Sequence, residues 1–400
     1  MICVQMRMGF DMSEITWPLM KDTITWADKL KMIKFILTTK KFTNGEMVRK
    51  FEQEWNDWLG SKYSLYVSSG STANLLLLSA VKEKYGLKDG DKVLVPACTW
   101  VTNVSPVFQV GLEPIFSDID LQTFSFDVEK LKTIKEIHPD IKVIFVTHLL
   151  GLEAEIDKYQ EIFPDAIILE DICESHGVTD FLGDKRGAHS LGATFSFYFG
   201  HHMTTIEGGM ISTNDEELYE LMRIKRSHGL AREGSPAYFK KYQEQYPDLP
   251  PSFLFMTDGY NFRNHEICAV LGSSQLKRLD RMIEIRQENY TKFLNLIKNH
   301  SDKFYIPKEA ETNSSFCFPF ICKQKETYNY LLSAFKANGI EYRPVVSGNL
   351  LKHPFLKKYF ISLPSPLNVD ILHDQGVYVG NNHFVNDDNF KTLKQILDNL

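Results

Sequence analysis

The sequence contains no closely spaced pair of cysteines. Its six cysteines run from Cys3 to Cys322, and none belongs to a Cys-x-x-Cys or Cys-x-Cys pair. Zinc sites and disulfide frameworks are usually recognised in a sequence by cysteines at such spacing. The sequence therefore favours neither, and its scattered thiols fit a reducing cytoplasm.

Long hydrophobic runs and basic stretches are also missing. No apolar run approaches the roughly 20 residues that span a bilayer. Residues 1–10 alternate apolar and polar side chains and lack the hydrophobic core of a signal peptide. The formal net charge of -6 comes without a basic stripe that would bind phosphate backbones. We therefore expect a cytoplasmic protein that binds neither membranes nor nucleic acids.

No repeat or Pro-, Gly- or Ser-rich linker divides the 400 residues, and short β-rich runs alternate instead with helical patterns. Buried parallel strands read as continuous apolar runs, as residues 143–146 do. This pattern predicts an α/β fold with a mostly parallel sheet between helices. The predicted strands of this sheet are 93–96, 113–116, 143–146, 166–169, 194–198 and 209–212.

The pattern changes after about residue 290, where strands become fewer. We predict a large domain over residues 1–290, which includes the N-terminal segment and most of a connecting helix at 278–297. A smaller C-terminal α+β domain is predicted over residues 291–400. Such a division suits a chain too long for one small core.

The first segment with chemical content is Val67-Ser68-Ser69-Gly70-Ser71-Thr72-Ala73, which leaves a strand-like run and opens a helix. Small residues let a ligand approach the backbone, and free N–H groups at a helix start attract phosphate. Ser and Thr are equally common as ordinary helix caps. The segment alone is consistent with a phosphate site or with simple capping.

A second segment, Leu169-Glu170-Asp171-Ile172-Cys173-Glu174, lies at the end of a buried apolar strand, where α/β sheets place their ligands. A carboxylate there is costly without a partner. Asp171 could meet a protonated ring nitrogen, or it could be satisfied by neighbouring N–H groups.

The third segment is residues 195–209, which contain His201, His202 and a Glu-Gly-Gly turn. Paired histidines often suggest a metal. We expect the two side chains to point apart, and no nearby cysteine or carboxylate has helical ligand spacing. The sequence therefore does not favour a metal site.

Taken together, these segments resemble the sugar aminotransferases of the DegT/DnrJ/EryC1/StrS group, a branch of the fold type I pyridoxal-phosphate enzymes. The resemblance covers nearly the whole chain. It is carried by Thr43-Asn44-Gly45, Phe51-Glu52, Ser69-Gly70-Ser71, Pro96-Ala97-Cys98-Thr99-Trp100, Phe116-Ser117-Asp118-Ile119-Asp120, Glu170-Asp171, the Thr-Thr-x-Glu-Gly-Gly turn at 204–209 and Gly259-Tyr260-Asn261-Phe262-Arg263.

The resemblance implies a set of cofactor contacts. Asp171 would pair with the pyridine nitrogen and keep it protonated, so that the ring acts as an electron sink. The remaining implied contacts are Gly70, Ser71 and Ser196 to the phosphate, Trp100 to the ring face, Glu174 to the hydroxyl or phosphate edge, and Asn261 to the phosphate of a neighbouring subunit. The last contact implies a homodimer with shared active sites.

One residue departs from the aminotransferase pattern. Where those enzymes carry the lysine that binds the cofactor covalently, this sequence has His201, followed by His202. Imidazole has no primary amine and cannot replace lysine in that bond, but it can move protons near neutral pH. Three hypotheses follow: a dehydratase, an aminotransferase whose lysine has been replaced, and a non-catalytic protein that binds the cofactor.

Histidine at this position resembles the 3-dehydratases that act on nucleotide-linked 4-keto-6-deoxyhexoses. The kind that uses an iron–sulfur cluster carries a Cys-x-Cys pair, which is absent here, so we expect no cluster. The resemblance implies the glutamate-dependent kind, with pyridoxamine phosphate formed from pyridoxal phosphate, GDP-4-keto-6-deoxymannose as substrate and His201 as the base. Weaker candidates for substrate contacts are Arg226, His228 and Arg343, of which the arginines suit phosphate.

Overall fold

The computed structural model describes residues 15–309, 311–359 and 367–400. Residues 1–10, which include Cys3 and for which the sequence predicts no signal peptide, lie outside the described residues. In the described part, no helix is both long enough and apolar enough to cross a membrane.

A seven-stranded sheet forms the centre of the fold. Its strands are β1 (Tyr63–Val67), β2 (Lys92–Pro96), β3 (Glu113–Ser117), β4 (Val143–Thr147), β5 (Ile167–Asp171), β6 (Gly192–Ser196) and β7 (Gly209–Thr213). Their spatial order is β1-β7-β6-β5-β4-β2-β3. Strands β3, β2, β4, β5 and β6 are parallel neighbours, while β7 runs antiparallel to both β6 and β1.

Alternate side chains of the central strands pack on opposite faces of this sheet. Val143 and Phe145 belong to one buried cluster, and Ile144 and Val146 belong to another. Because successive side chains of a strand point to opposite faces, a continuous apolar run requires cover on both sides. The mostly parallel α/β fold predicted from the sequence is confirmed.

Helices lie before, between and after the strands of this sheet along the chain, and they cover it. They are α1 (Trp26–Thr38), α2 (Glu46–Leu59), α3 (Gly70–Lys84), α4 (Ser105–Gln109), α5 (Val128–Ile137), α6 (Ile156–Ile162), α7 (Glu216–Lys225), α8 (Pro236–Gln245), α9 (Glu266–Leu276) and α10 (Leu279–Lys298). The leucines Leu76, Leu77 and Leu78 of α3 are fully buried, so this helix lies directly on the sheet.

A second, antiparallel sheet follows α10, with the order β10-β11-β9-β8. Its elements are β8 (Phe304–Tyr305), β9 (Cys317–Cys322), α11 (Lys325–Ala337), β10 (Tyr342–Pro344), α12 (Pro354–Lys357), α13 (Asn368–Gln375), β11 (Gly376–Gly380) and α14 (Asp387–Asp398). All strands of this sheet follow residue 290, but the domain boundary itself stays a prediction.

Two features of the strands differ from the sequence prediction. The strand predicted at 194–198 ends at Ser196, since the following residues form turns, and the strand predicted at 166–169 extends to Asp171. Strand β11, Gly376–Gly380, has no counterpart in the prediction. Glycines at both ends of β11 lower its β propensity, so pairing with β9 and β10 provides the stabilisation of this strand.

Candidate active site

Three chain segments meet at one edge of the large sheet. Strands β1, β5 and β6 run in the same direction, so their carboxyl ends lie together. Asp171 is the last residue of β5, Ser196 is the last of β6, and Ser68 follows β1. Ligand sites of open α/β sheets lie at this edge. The order of the strands thus brings Asp171, Ser196 and the segment that begins at Ser68 close together.

The start of helix α3 forms one wall of this site. The Ser69 hydroxyl accepts from the Thr72 N–H (3.1 Å), while the Thr72 hydroxyl accepts from the Ser69 N–H (3.0 Å). The N–H groups of Gly70 and Ser71 belong to the first turn, where a helix offers no internal acceptor. Capping is therefore compatible with anion binding here, since the cap uses other N–H groups than those left for a ligand.

Glycine is required at position 70 because the backbone lies close to its neighbours. A Cβ atom on Gly70 would lie 2.7 Å from Ser196 Cβ and 2.9 Å from Cys173 Sγ. Gly209 has the same kind of role in the Glu-Gly-Gly turn, since its Cβ would lie 2.4 Å from the Ser69 backbone. The resulting recess places the helix start, Ser196 and the loop after β5 around one small space, which suits a phosphate group.

Asp171 is buried and is held by neutral donors. Asn74 Nδ2 donates to its Oδ2 (2.8 Å), and the Cys173 N–H donates to its Oδ1 (2.9 Å). Thr194 Oγ1 donates in turn to Asn74 Oδ1 (2.6 Å). These bonds orient a carboxylate that has no cationic partner among the described residues. Such a carboxylate suits the protonated nitrogen of a bound ring.

Asn74 was not identified from the sequence. It is a fully buried polar residue of α3, preceded by Ala73 and followed by the leucines that pack on the sheet. A lone amide in an apolar helical run is a signal that could have been noticed, because a buried amide needs a partner. Its partner, however, lies 97 residues away along the chain.

His201 lies in the loop after β6. Its backbone N–H donates to the Tyr198 carbonyl (3.0 Å), and its ring packs against Phe316 with the centroids 5.7 Å apart. Burial, followed by the charge of Arg286, lowers the pKa of His201 to about 4. The imidazole is therefore neutral near pH 7 and can accept a proton.

The expectation that His201 and His202 point apart is wrong. Both rings lie near His176 and near Phe316, with centroid separations between 5.3 and 6.2 Å. Residues 199–203 form turns and bends, in which adjacent side chains need not point to opposite sides. His202 is buried, and its Nε2 donates to the Ser314 carbonyl (2.6 Å).

Glu174 lies in the loop after β5, beyond Asp171. Its Oε2 accepts from the Leu150 N–H (3.2 Å). Burial, reinforced by the charge of Asp171, raises the pKa of Glu174 to about 7 against the opposing effect of the Leu150 bond. A carboxyl that changes its charge near neutral pH within this loop can donate or accept a hydrogen bond.

The neighbouring Glu170 has a different environment. Its Oε2 bonds His148 Nε2 (2.9 Å), while His148 Nδ1 accepts from the Ala154 N–H (3.1 Å). The proton of neutral His148 therefore lies on Nε2 and is donated to Glu170. Successive residues of β5 face opposite sides of the sheet, so Glu170 ties down a loop while Asp171 stays with the site.

Three of the predicted site residues are exposed on this side of the fold. Trp100 is 54% exposed, and Asn261 and His228 are also exposed. His228 has a φ of 64°, a strained conformation for a residue other than glycine. Its N–H donates to the Tyr260 carbonyl (2.7 Å), which places the 227–229 turn beside the segment that carries Asn261.

The two predicted arginines differ in their surroundings. Arg226 is buried, and its Nη1 donates to Glu52 Oε1 (2.9 Å) and to the Tyr66 carbonyl (2.7 Å). Nη2 donates to Asn44 Oδ1 (3.2 Å). These contacts join the end of α7 to α2 and β1, and a substrate contact of Arg226 stays a prediction. Arg343 is half-buried and reaches Glu341 Oε1 at 3.4 Å.

No group of three or more His, Cys, Asp or Glu side chains in the described ranges is arranged to hold a metal ion.

Comparisons with known proteins point to one family. The family model described as "DegT/DnrJ/EryC1/StrS aminotransferase family" matches residues 24–375. A protein of Escherichia coli O55:H7 named GDP-4-keto-6-deoxy-D-mannose 3-dehydratase is 38% identical over 398 residues, which cover 96% of this chain and 100% of that protein.

Two solved structures are similar over the same length. One is the E. coli GDP-4-keto-6-deoxy-D-mannose-3-dehydratase with bound hydrated PLP, which has a TM-score of 0.88 and 36% identity and covers 96% of this chain and 99% of its own. The other is a GDP-4-keto-6-deoxymannose-3-dehydratase with a trapped PLP–glutamate geminal diamine. It has a TM-score of 0.86 and 35% identity and covers 96% of this chain and 100% of its own.

Proposed function

Because this chain belongs to the DegT/DnrJ/EryC1/StrS aminotransferase family, we propose that it catalyses the 3-dehydratase reaction of its 38%-identical relative. It removes the C3 hydroxyl of GDP-4-keto-6-deoxy-D-mannose and consumes glutamate. The product belongs to the 3,6-dideoxysugar pathways of O-antigens, of which colitose is an example. The observation that carries this proposal is the neutral imidazole of His201 at the position of the aminotransferase lysine.

The residues of the site fit pyridoxal phosphate. The recess beside Gly70 is one that a Cβ atom would fill, and it lies at a helix start, as a phosphate requires. Asp171 presents a buried carboxylate fixed by Asn74 and Cys173. When bound, the cofactor supplies an electron sink and, in its amino form, a carrier of the nitrogen from glutamate.

The individual contacts follow from this placement as proposals. Gly70, Ser71 and Ser196 bind the phosphate, and Asp171 binds the pyridine nitrogen. Trp100 covers the ring face, since its large apolar side chain is 54% exposed in a single chain. Glu174 faces the hydroxyl or phosphate edge, and its raised pKa allows it to donate a proton in that bond. His228 and Arg343 stay weaker candidates for the nucleotide.

His201 moves the proton in this proposal. Its neutral ring takes a proton from carbon and returns it to the departing C3 hydroxyl, so that water leaves rather than hydroxide. The overall change is balanced without another redox partner. The C3 carbon of the sugar loses its hydroxyl oxygen and is thereby reduced. Glutamate is oxidised to 2-oxoglutarate, and its nitrogen leaves as ammonia.

We also propose a homodimer with shared active sites. An apolar stripe on α1 is exposed in the single chain, with Trp26, Leu30, Ile33 and Leu37 between 50% and 79% exposed. Exposed patches of this kind mark interaction surfaces. Asn261 is exposed as well and would reach the cofactor phosphate of the partner subunit. We likewise propose a cytoplasmic location and a domain boundary at residue 290.

The test is a single incubation of the purified protein with pyridoxal phosphate, glutamate and GDP-4-keto-6-deoxymannose. Mass spectrometry of the nucleotide sugar and an ammonia assay report the outcome. A 3-deoxy product formed together with ammonia supports the proposal. An amino sugar instead would indicate an aminotransferase, and the absence of any product with this substrate would contradict the choice of sugar.

The variant His201→Lys provides a second discrimination. If the chain were an aminotransferase whose lysine had been replaced, restoring the lysine would yield an amino sugar at the rate of a competent enzyme. For a dehydratase site, we expect loss of the 3-deoxy product without an efficient gain of transamination.

A further inference from the structure

Behind His201 lies a group of buried, nitrogen-rich side chains, which we call the histidine–arginine cluster: His176, His201, His202 and Arg286. The ring centroids of His176 lie 6.2 Å from His201 and 5.3 Å from His202. Arg286 comes from the connecting helix α10 and interacts electrostatically with all three rings. None of these contacts was foreseen from the sequence, in which the four residues span 111 positions.

Arg286 is a buried cation without an acidic partner. It is 5% exposed, and its Nη1 donates to the carbonyls of Ser315 (3.3 Å), Phe316 (3.1 Å) and Asn381. Among the ion pairs of the described ranges, none includes Arg286. A buried charge that is not neutralised acts strongly on its surroundings, because the local dielectric is low.

The three histidines offer little to stabilise a second positive charge. Both ring nitrogens of His176 are buried without a hydrogen-bond partner in the described part of the chain, as is Nδ1 of His201 and of His202. A protonated imidazole donates from both nitrogens and needs two acceptors. The charged form therefore loses solvation that the backbone beside His176 and His201 replaces only in part, so the neutral form is favoured.

Arg286 also fixes the wall against which His201 packs. Its bonds to the Ser315 and Phe316 carbonyls hold the segment 314–316, and the Phe316 ring contacts both His201 (5.7 Å) and His202 (6.0 Å). His202 binds the Ser314 carbonyl of the same segment. The Arg286 guanidinium therefore fixes the segment that carries the Phe316 ring, and its charge acts on the imidazoles of the histidine–arginine cluster.

We propose that Arg286 is a positioning residue for His201: it anchors the 314–316 segment and keeps the His201 imidazole unprotonated and ready to accept a proton. The part of this inference that concerns catalysis rests on the proposed function, whereas the protonation state of His201 does not.

The electrostatic surroundings of His201 agree with this assignment. Burial is the largest cause of its lowered pKa and the Arg286 charge is the second, opposed by the backbone of Cys173. The same charge contributes to the lowered pKa values of His176 and His202. Among the other titratable groups of the surrounding segments, Tyr198 and His202 lie on the same loop as His201. Cys173, Glu174 and His176 lie on the loop after β5, and Cys317 lies at the start of β9.

The test measures the titration of His201 in the full chain without cofactor, by NMR of histidine labelled with ¹³C and ¹⁵N. The His201 signal is assigned from its loss in His201→Gln. We expect a midpoint near the pKa of about 4 in the wild type. In Arg286→Gln the midpoint moves up toward the ordinary value of 6.5, while Arg286→Lys, which retains the charge, stays low. Arg281→Gln is the matched control, since Arg281 is an exposed arginine of the same helix.

A second variant keeps the test decisive if Arg286→Gln does not fold, as judged by circular dichroism. Cys317 is buried beside Arg286, and Cys317→Asp places a carboxylate there that neutralises the guanidinium. Folded Cys317→Asp should raise the His201 midpoint as well. An unchanged midpoint in either folded variant overturns the proposal.

Enzyme assays separate this inference from the proposed function. If the dehydratase proposal holds, the acid limb of the kcat/KM profile shifts upward in Arg286→Gln but not in Arg286→Lys. If the chain has another activity, the NMR shift still occurs and only the kinetic consequence is lost. A structural role alone would lower the amount of folded protein without moving either titration.

Discussion

His201 is the residue at which we predict that this chain departs from the lysine-dependent members of its family. Replacing it by asparagine removes the proton acceptor and keeps a polar side chain of similar size. We expect turnover to fall by about 10²- to 10⁴-fold, the usual contribution of a general base. Formation of the 3-deoxy sugar, followed by mass spectrometry, measures this loss.

His189→Asn serves as the control for that prediction, since the His189 side chain is 69% exposed and lies on the loop before β6. Binding of pyridoxal phosphate, followed by its absorbance, should survive in His201→Asn. Retention of full turnover by His201→Asn would contradict the assignment of His201 as the base.

Glu174 predicts a pH dependence of stability. Its pKa rises from 4.5 in the unfolded chain to about 7 in the folded one, so the folded state binds the proton more tightly. Stability from this group is fully present below pH 4.5 and is lost as the pH rises through 7. In the cofactor-free protein, Glu174→Gln should match the wild type near pH 5 and exceed its free energy of unfolding at pH 8 by on the order of 2 kcal/mol.

Urea unfolding at the two pH values measures this difference. Glu136→Gln on helix α5 is the control, because Glu136 is exposed. A difference between Glu174→Gln and the wild type that stays constant from pH 5 to pH 8 would refute the raised pKa.

At the scale of the element, the start of helix α3 predicts sensitivity to a single methyl group. In Gly70→Ala the new Cβ meets Ser196 Cβ and Cys173 Sγ at less than 3.0 Å. Relief of such overpacking costs about 1–3 kcal/mol and displaces the groups around the recess beside Gly70, where we propose that the phosphate binds. We expect the Kd for pyridoxal phosphate to rise by roughly tenfold or more.

Titration of the cofactor by absorbance, together with the Tm of the apoprotein, checks this expectation. Gly234→Ala is the matched control. A Cβ atom on Gly234 would first meet the end of the Glu220 side chain, at 3.2 Å, so the change is milder. Equal cofactor affinity in Gly70→Ala and the wild type would argue against a phosphate site at this helix start.

At the scale of the whole molecule, the exposed stripe on α1 predicts a surface buried by a second copy of the chain. Trp26, Leu30, Ile33 and Leu37 recur at the spacing of one helical face. The double variant Leu30→Glu and Leu37→Glu places charge on this face, so we expect light scattering after gel filtration to show a shift from dimer to monomer. If the active sites are shared as proposed, activity should fall with it.

Leu182→Glu is the control for surface charge, since Leu182 is 73% exposed and lies between β5 and β6 rather than on α1. If Leu182→Glu alone dissociates the assembly, the interface lies elsewhere; if the double α1 variant stays dimeric, the stripe has another role.

Much of the site could be predicted from short segments of sequence. The Ser69-Gly70-Ser71 helix start, Asp171 at a strand end and His201 after β6 are each recognisable within a few residues. Such signals survive because strand ends and helix starts impose local requirements on backbone N–H groups, on burial and on residue size. The expectation that His201 and His202 point apart is wrong because both lie in an irregular segment of turns and bends, where adjacency does not fix the side-chain directions.

The sequence by itself determined the parallel α/β fold, the order of the motifs and the imidazole at position 201, because each depends on neighbours in the chain. Only the tertiary structure decided what surrounds them. Asn74 bonds Asp171, which is 97 residues away along the chain, and Arg226 bonds Glu52, which is 174 residues away. Arg286, on helix α10, bonds the 314–316 segment beside His201. Such pairs arise from the spatial order of strands and the packing of helices, which bring distant buried polar groups together to satisfy their hydrogen bonds.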